Sequence, residues 1–146
     1  MTSQTARRST RKPVSIVPRV MREFRITYAD AVIPDMTDAQ WSKAAGVRRL
    51  TWQSPHRVSL AEAVACYAQM ESTYNAFDPE LLSDLNAAFG TEGIQVTPAR
   101  EYSVAVYLHV PNTGDLRQRV ETFVRERFNA DDVGWTEPGT LRCWWD

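Results

Sequence analysis

A run of apolar residues in the second half of the chain constrains the fold more than any other segment. The run is Val104-Ala105-Val106-Tyr107-Leu108, and it is apolar at successive positions. Successive side chains of a β-strand point to opposite faces, so this strand would be apolar on both faces. That pattern is typical of a strand at the centre of a sheet. We therefore expect residues 103–110 to form a central strand.

Four segments carry the signals of a helix N-terminus. Before each apolar stripe stands a short polar residue whose side chain can accept a hydrogen bond from the first turn. These residues are Thr37, Ser59, Asp78 and Asn112. Ser59 also has Glu62 three residues later, which completes a capping box. Gly90 is expected to end the helix that Asp78 begins.

The remaining periodic segments predict the other strands. They begin near Val20 and cover residues 47–52, 94–97 and 140–146, with residues 98–101 joining the third and fourth strands as a hairpin. The predicted order is βαβααββαβ, which favours a two-layer α+β sandwich: a mostly antiparallel sheet of about five strands with four helices on one face. The βαβ units at each end resemble the split βαβ arrangement of ferredoxin-like folds. This likeness of architecture implies no function.

Charge divides the chain into a basic arm and an acidic body. Residues 1–25 hold seven basic residues and one acidic residue, whereas the rest holds ten basic and seventeen acidic residues. The first residues are also polar and interrupted by proline, so they cannot bury enough surface to fold alone. We predict an extended arm over 1–19 and a single α+β domain over 20–146. A basic arm attracts phosphate groups or an acidic protein surface.

The sequence offers little to support an enzyme, a metal site or a membrane protein. Two histidines, two cysteines and six glycines include neither metal-ligand spacing nor a phosphate-binding glycine loop. A nucleophilic pair would need Cys143 or Cys66 beside one of the two histidines, His56 and His109. Strand alternation places Cys143 on the core face, and Cys66 lies in the middle of a predicted helix among alanines. We therefore expect no cofactor and no metal. We also expect no insertion into a membrane, since no apolar run approaches the roughly 20 residues of a membrane span.

One face of the predicted sheet collects basic and aromatic side chains. Strand alternation assigns to it Arg25, Arg49, Tyr107 and His109, together with Arg142 and Trp144. Bases stack on aromatic rings and arginines bind phosphates, so this face is a candidate for binding single-stranded DNA or RNA. The alternative is that these are ordinary solvent-facing strand residues.

The adjacent tryptophans near the C-terminus point to a protein interface. Trp144 and Trp145 share a strand, so their rings must lie on opposite faces, and only one can enter the core. Tryptophan and arginine are enriched among residues that dominate binding energy. We expect Trp144 with Arg142 to form a contact for a partner.

These observations favour a non-enzymatic binding or assembly protein, an accessory or structural subunit of a virion, mobile-element or organellar complex. Partner contacts are expected from the C-terminal pair and from the arm residues Arg7, Arg8, Arg11, Lys12 and Arg19. Two alternatives are a nucleic-acid-binding domain and an antagonist that presents an acidic, DNA-like surface. The cysteine content and the absence of a signal peptide predict an intracellular protein, soluble or complex-associated: cytoplasmic, in a virion, or mitochondrial.

Overall fold

The computed structural model describes residues 18–19, 51–68, 77–101 and 103–145. The predicted first strand near Val20, the helix that Thr37 would cap and most of the predicted strand at 47–52 lie outside these ranges.

An antiparallel sheet forms one layer of the domain. Its strands are β1 (Thr51–Gln53), β2 (Val58–Ser59), β3 (Gln95–Glu101), β4 (Ser103–His109), β5 (Asp132–Glu137) and β6 (Thr140–Trp144). The order across the sheet is β1-β3-β4-β6-β5, with β2 also paired to β3. Strand β4 pairs with both β3 and β6, which confirms the central position predicted from its sequence.

In the described part of the chain, three helices form the second layer: α1 (Leu60–Ala68), α2 (Glu80–Phe89) and α3 (Leu116–Arg127). Their apolar stripes join one sheet face in a common core that includes Tyr67, Leu85, Val106, Val124 and Trp145. The two-layer α+β arrangement is as predicted, although the described part of the chain contains three of the four expected helices.

Helix α3 connects two strands that run in the same direction with another strand between them. Strands β4 and β5 are each antiparallel to β6, which separates them. The β4-α3-β5 unit is therefore a split βαβ arrangement.

The predicted caps of α1 and α2 are confirmed. The Glu62 amide donates to Ser59 Oγ at 3.1 Å, and the Ser59 amide donates to Glu62 Oε1 at 3.2 Å. This reciprocal pair satisfies two amides that have no partner within the helix. In the same way, the Glu80 amide donates to Asp78 Oδ1 at 3.0 Å.

The predicted cap of α3 is wrong. The helix begins at Leu116 after Asp115, not after Asn112. Gly114 has a φ of +53°, a left-handed conformation that a right-handed helix cannot contain. Residues 112–115 therefore form a turn, and α3 begins three residues later than the capping pattern predicted.

Residues 98–101 belong to strand β3 and are not the hairpin connection. Pro98 lies opposite Val106 on β4, while β1 and β2 pair with β3 on either side of it, at 99–101 and 95–96. The Pro98 carbonyl oxygen accepts a hydrogen bond from the Ser54 amide at 2.9 Å. The nitrogen and the carbonyl of one strand residue point to the same side, so the Pro98 nitrogen also faces the interruption between β1 and β2. The missing N–H thus removes no hydrogen bond from the β3–β4 ladder.

Strand β5 is not among the predicted strands. It begins at Asp132, pairs with β6 and carries a bulge between Trp135 and Glu137. Most of its side chains are exposed. A short, polar edge strand has few buried positions, so the hydrophobic alternation that would identify it in the sequence is weak.

Candidate functional site

The adjacent tryptophans Trp144 and Trp145 lie on opposite faces of the sheet, as predicted. Trp145 is fully buried in the core, and its Nε1 donates to the Phe128 carbonyl at 3.0 Å. Trp144 is partly buried on the face opposite the helices. We call this the polar face; its side chains include Glu101, Tyr107, His109, Arg142 and Trp144.

A hydrogen-bonded network centred on Arg142 crosses the polar face. Its Nε and Nη2 lie 2.8 and 2.6 Å from Glu101 Oε2, and its Nη1 lies 2.9 Å from Asp132 Oδ2. Tyr107, directly opposite Arg142 in the register, donates its hydroxyl to the other Glu101 oxygen. Burial, followed by the contacts with Glu101, raises the pKa of Tyr107, so the phenol remains the proton donor.

The Trp144 ring is held by the same network. Its Nε1 donates to the Glu101 carbonyl at 2.9 Å, and the Arg142 guanidinium carbon lies 5.7 Å from the ring centroid, within cation–π range. One hydrogen bond and one cation–π contact therefore fix the orientation of a tryptophan that remains partly accessible.

Only part of the polar face is accessible. Thr97, Ala99 and Ala105 on this face are buried, Ala99 and Ala105 completely. The side chains of Arg142, Asp132 and Trp144 on β6 and β5 retain exposed surface. Among the described residues, the accessible region of this face is therefore a patch beside β6.

His109 lies near the opposite end of the polar face. Its Nε2 is 2.6 Å from Thr97 Oγ1 and its Nδ1 is 3.1 Å from Thr140 Oγ1. Burial, with a smaller effect of Arg57, lowers the pKa of His109 below its ordinary value of 6.5, against the opposing effect of Glu137. The lowered pKa favours the neutral imidazole, and both of its nitrogens lie beside hydroxyl groups.

The structure does not bring Cys143 and His109 together. Cys143 is fully buried on the core face, and burial raises the pKa of its thiol to about 12. Cys66 on α1 is also buried, with its thiol pKa raised to about 11. Neither thiol is an activated nucleophile in this arrangement.

The predicted partner residues of the arm are mostly outside the described ranges. This applies to Arg7, Arg8, Arg11 and Lys12, and also to Arg25 and Arg49 of the proposed nucleic-acid face. Arg19 is described and exposed. The structure does bring Tyr107, His109, Arg142 and Trp144 onto one face. Sequence analysis missed the two carboxylates, Glu101 and Asp132, that surround Arg142.

A groove between α3 and the β5–β6 hairpin was also missed. It consists of two depressions of about 750 and 280 Å³ that share lining residues, among them Arg117 and Glu137. Trp135 lines the larger depression, and Arg57 with His109 lines the smaller one. Arg117 and Trp135 are 18 residues apart, and only the packing of α3 beside β5 brings them together.

The described part of the chain holds no group of three or more histidine, cysteine, aspartate or glutamate side chains placed to bind a metal ion. None of its helices is both long enough and apolar enough to cross a membrane.

Comparisons with protein-family models, with curated proteins and with solved structures found no match for this chain.

Proposed function

We propose that this protein is a non-enzymatic assembly protein that docks onto another subunit of a larger complex. The main contact is the patch formed by Asp132, Arg142 and Trp144 on the polar face, and the basic arm over 1–19 supplies a second contact. The observation that carries the proposal is Trp144: a partly accessible indole whose Nε1 and ring are both held by neighbours.

A fixed tryptophan beside an arginine is suited to protein recognition. Association costs free energy for every side chain that must be immobilised at the interface. The contacts of Arg142 with Glu101 and Asp132 remove much of that cost before a partner arrives. Tryptophan, tyrosine and arginine are also enriched among the few residues that contribute most of the binding energy at protein–protein interfaces.

Nucleic-acid binding through the polar face has less support. A stacking platform needs accessible rings and arginines that are available to phosphates. Arg142 instead lies between Glu101 and Asp132, so the local charge around it is negative. Binding of DNA or RNA through the arm alone remains an alternative that the experiment below separates.

The acidic-antagonist alternative is weakened by the distribution of charge on the helices. A DNA-like surface requires extended negative charge. Residues 77–93 are acidic, but α3, which packs beside α2, carries Arg117, Arg119, Arg125 and Arg127. The basic helix interrupts any continuous acidic surface there.

The test is affinity purification of the full-length chain from its native source, with quantitative mass spectrometry of the bound proteins. Wild type is compared with Trp144→Ala, with a deletion of residues 1–19, and with Trp135→Ala as the matched control. Trp135 is also exposed, but it lies outside the proposed patch.

We expect wild type to recover a partner protein in stoichiometric amount. The recovered amount should fall at least about tenfold with Trp144→Ala, as expected for a residue that dominates an interface, and should be unchanged with Trp135→Ala. Recovery of nucleic acid that depends on the arm but not on Trp144 would favour the nucleic-acid alternative. A partner recovered equally with Trp144→Ala would contradict the proposed docking patch.

A further inference from the structure

Trp135 is an exposed aromatic ring held in a fixed orientation. It is 36% exposed, and its Nε1 donates to Glu121 Oε1. Glu121 also accepts a hydrogen bond from Arg125 Nε at 3.0 Å, and Arg125 Nη2 donates to the Val133 carbonyl at 3.0 Å. This chain of contacts links α3 to β5 and holds the indole at the wall of the groove.

Arg117 is positioned in the same groove by a close approach to the β5–β6 turn. Its Nε donates to the Val110 carbonyl at 3.0 Å. A Cβ placed on Gly139 would lie 2.6 Å from Arg117 Nη2, and Gly139 has a φ of +85°. The left-handed backbone conformation favours glycine at this position, and the absence of a side chain lets the turn lie close to the guanidinium.

The groove presents its chemical groups in a definite order. Trp135 lines only the larger depression, Arg117 and Glu137 line both, and Arg57 lines only the smaller one. Along the groove, an aromatic ring is therefore followed by a carboxylate beside an arginine, and then by a second arginine. The larger depression, about 750 Å³, is within the roughly 300–1,000 Å³ of small-molecule sites.

We propose that this groove binds a nucleotide, with the base stacked on Trp135, the sugar beside Glu137 and the phosphate between Arg117 and Arg57. Bases stack on exposed indole rings. A carboxylate accepts hydrogen bonds from ribose hydroxyls. A planar guanidinium binds phosphate through two parallel hydrogen bonds. The site does not involve the docking patch, so Trp144→Ala should leave nucleotide binding unchanged.

The probe is adenosine monophosphate, titrated into the full-length protein and followed by the indole N–H resonance of Trp135 in NMR spectra. Adenosine and inorganic phosphate test the two halves of the ligand separately. A hexamer of adenosine nucleotides tests whether the ligand is a free nucleotide or a nucleic-acid strand, since both carry the same base, sugar and phosphate groups. We expect the monophosphate to shift the Trp135 resonance and to bind at least about tenfold more tightly than adenosine.

The variants test the two positioned side chains. Arg117→Gln should weaken binding at least about tenfold, and Arg117→Lys should weaken it less, because a lysine keeps the charge but loses the bidentate geometry. Trp135→Leu lacks the reporter indole, so its binding is measured by isothermal titration calorimetry. It should bind the nucleotide more weakly than wild type and with about the same affinity as inorganic phosphate. Arg119→Gln is the matched control on α3, because Arg119 contacts Asp115 and does not line the groove. Thermal unfolding checks that each variant is folded.

Two results would support the site, and three would overturn it. Tighter binding of the hexamer with the same dependence on Trp135 and Arg117 assigns the site to a strand, whereas equal binding assigns it to a free nucleotide. The proposal is wrong if millimolar monophosphate leaves the Trp135 resonance unmoved. It is also wrong if adenosine binds as well as the nucleotide, or if folded Arg117→Gln and Arg117→Lys both bind like wild type.

Discussion

Arg142 on β6 reaches across β4 to Glu101 on β3, and these residues are 41 positions apart in sequence. The guanidinium approaches one carboxylate oxygen through both Nε and Nη2, while Tyr107 on the intervening strand donates to the other. The contact ties three strands together on the polar face. It also fixes the backbone carbonyl and the guanidinium that hold the Trp144 ring.

The first prediction concerns the two carboxylates of Arg142. Glu101→Gln should lower the free energy of unfolding by about 1–3 kcal/mol, because it removes the charged partner of a partly buried guanidinium and of Tyr107. Asp132→Asn is the matched control and should cost less than about 1 kcal/mol, since the Asp132 side chain is 65% exposed. Urea denaturation measures both. An equal or larger cost for Asp132→Asn would contradict the central role of Glu101.

The second prediction distinguishes the adjacent tryptophans. Trp145→Ala should destabilise the fold by about 3–5 kcal/mol, because it leaves a cavity in the core. Trp144→Ala should cost much less, since the ring covers only part of the polar face. Thermal or urea unfolding compares the two variants. Similar losses for both would mean that Trp144 serves mainly the stability of the fold.

The third prediction concerns the ionisation of His109. Arg57→Gln should raise its pKa and Glu137→Gln should lower it, because the two charges act in opposite directions on the imidazole. NMR titration of the ring protons measures both changes. Shifts in the same direction, or none in either variant, would contradict the arrangement of these charges around His109.

A stability consequence follows from the lowered pKa of His109. As the pH falls through about 6.5, the unfolded chain takes up a proton before the folded protein does. The contribution of His109 to stability is therefore present above that pH and declines from there down to the folded pKa. Replacing His109 with Gln should make the unfolding free energy less sensitive to pH in this window. An unchanged or steeper pH dependence would contradict this sign.

The fourth prediction concerns the two thiols. Burial raises the pKa of Cys66 to about 11 and that of Cys143 to about 12, so little thiolate forms at pH 8. Iodoacetamide should modify both slowly in the native protein and rapidly after unfolding. Mass spectrometry of each peptide measures the modification. Rapid alkylation of native Cys143 would show that it is accessible and reactive.

The parts of the fold that sequence predicted are those decided by local chemistry. The doubly apolar run identified the central strand, Ser59 with Glu62 identified the start of α1, and alternation placed Trp144 and Trp145 on opposite faces. In each case the signal lies within a few residues. The structure confirms all three features.

The features that sequence missed depend on distant neighbours. Pro98 fits inside β3 only because β1 and β2 leave an interruption beside it. Asp132 begins a strand because β6 offers it a partner. The groove exists because α3 packs beside β5, which brings Trp135 to Glu121. A pattern within one segment carries no information about these contacts.

The docking patch is tested most directly by site-specific photo-crosslinking in cells. Gly134 is opposite Arg142 in the register, and a Cβ there meets no atom within 4 Å, so a photoreactive residue can replace it. Exposed Ala88 on α2 is the matched position away from the patch. The proposed function predicts one discrete protein adduct from position 134, lost with Trp144→Ala, and none from position 88. Equal adducts from both positions, or an adduct at 134 that survives Trp144→Ala, would contradict it.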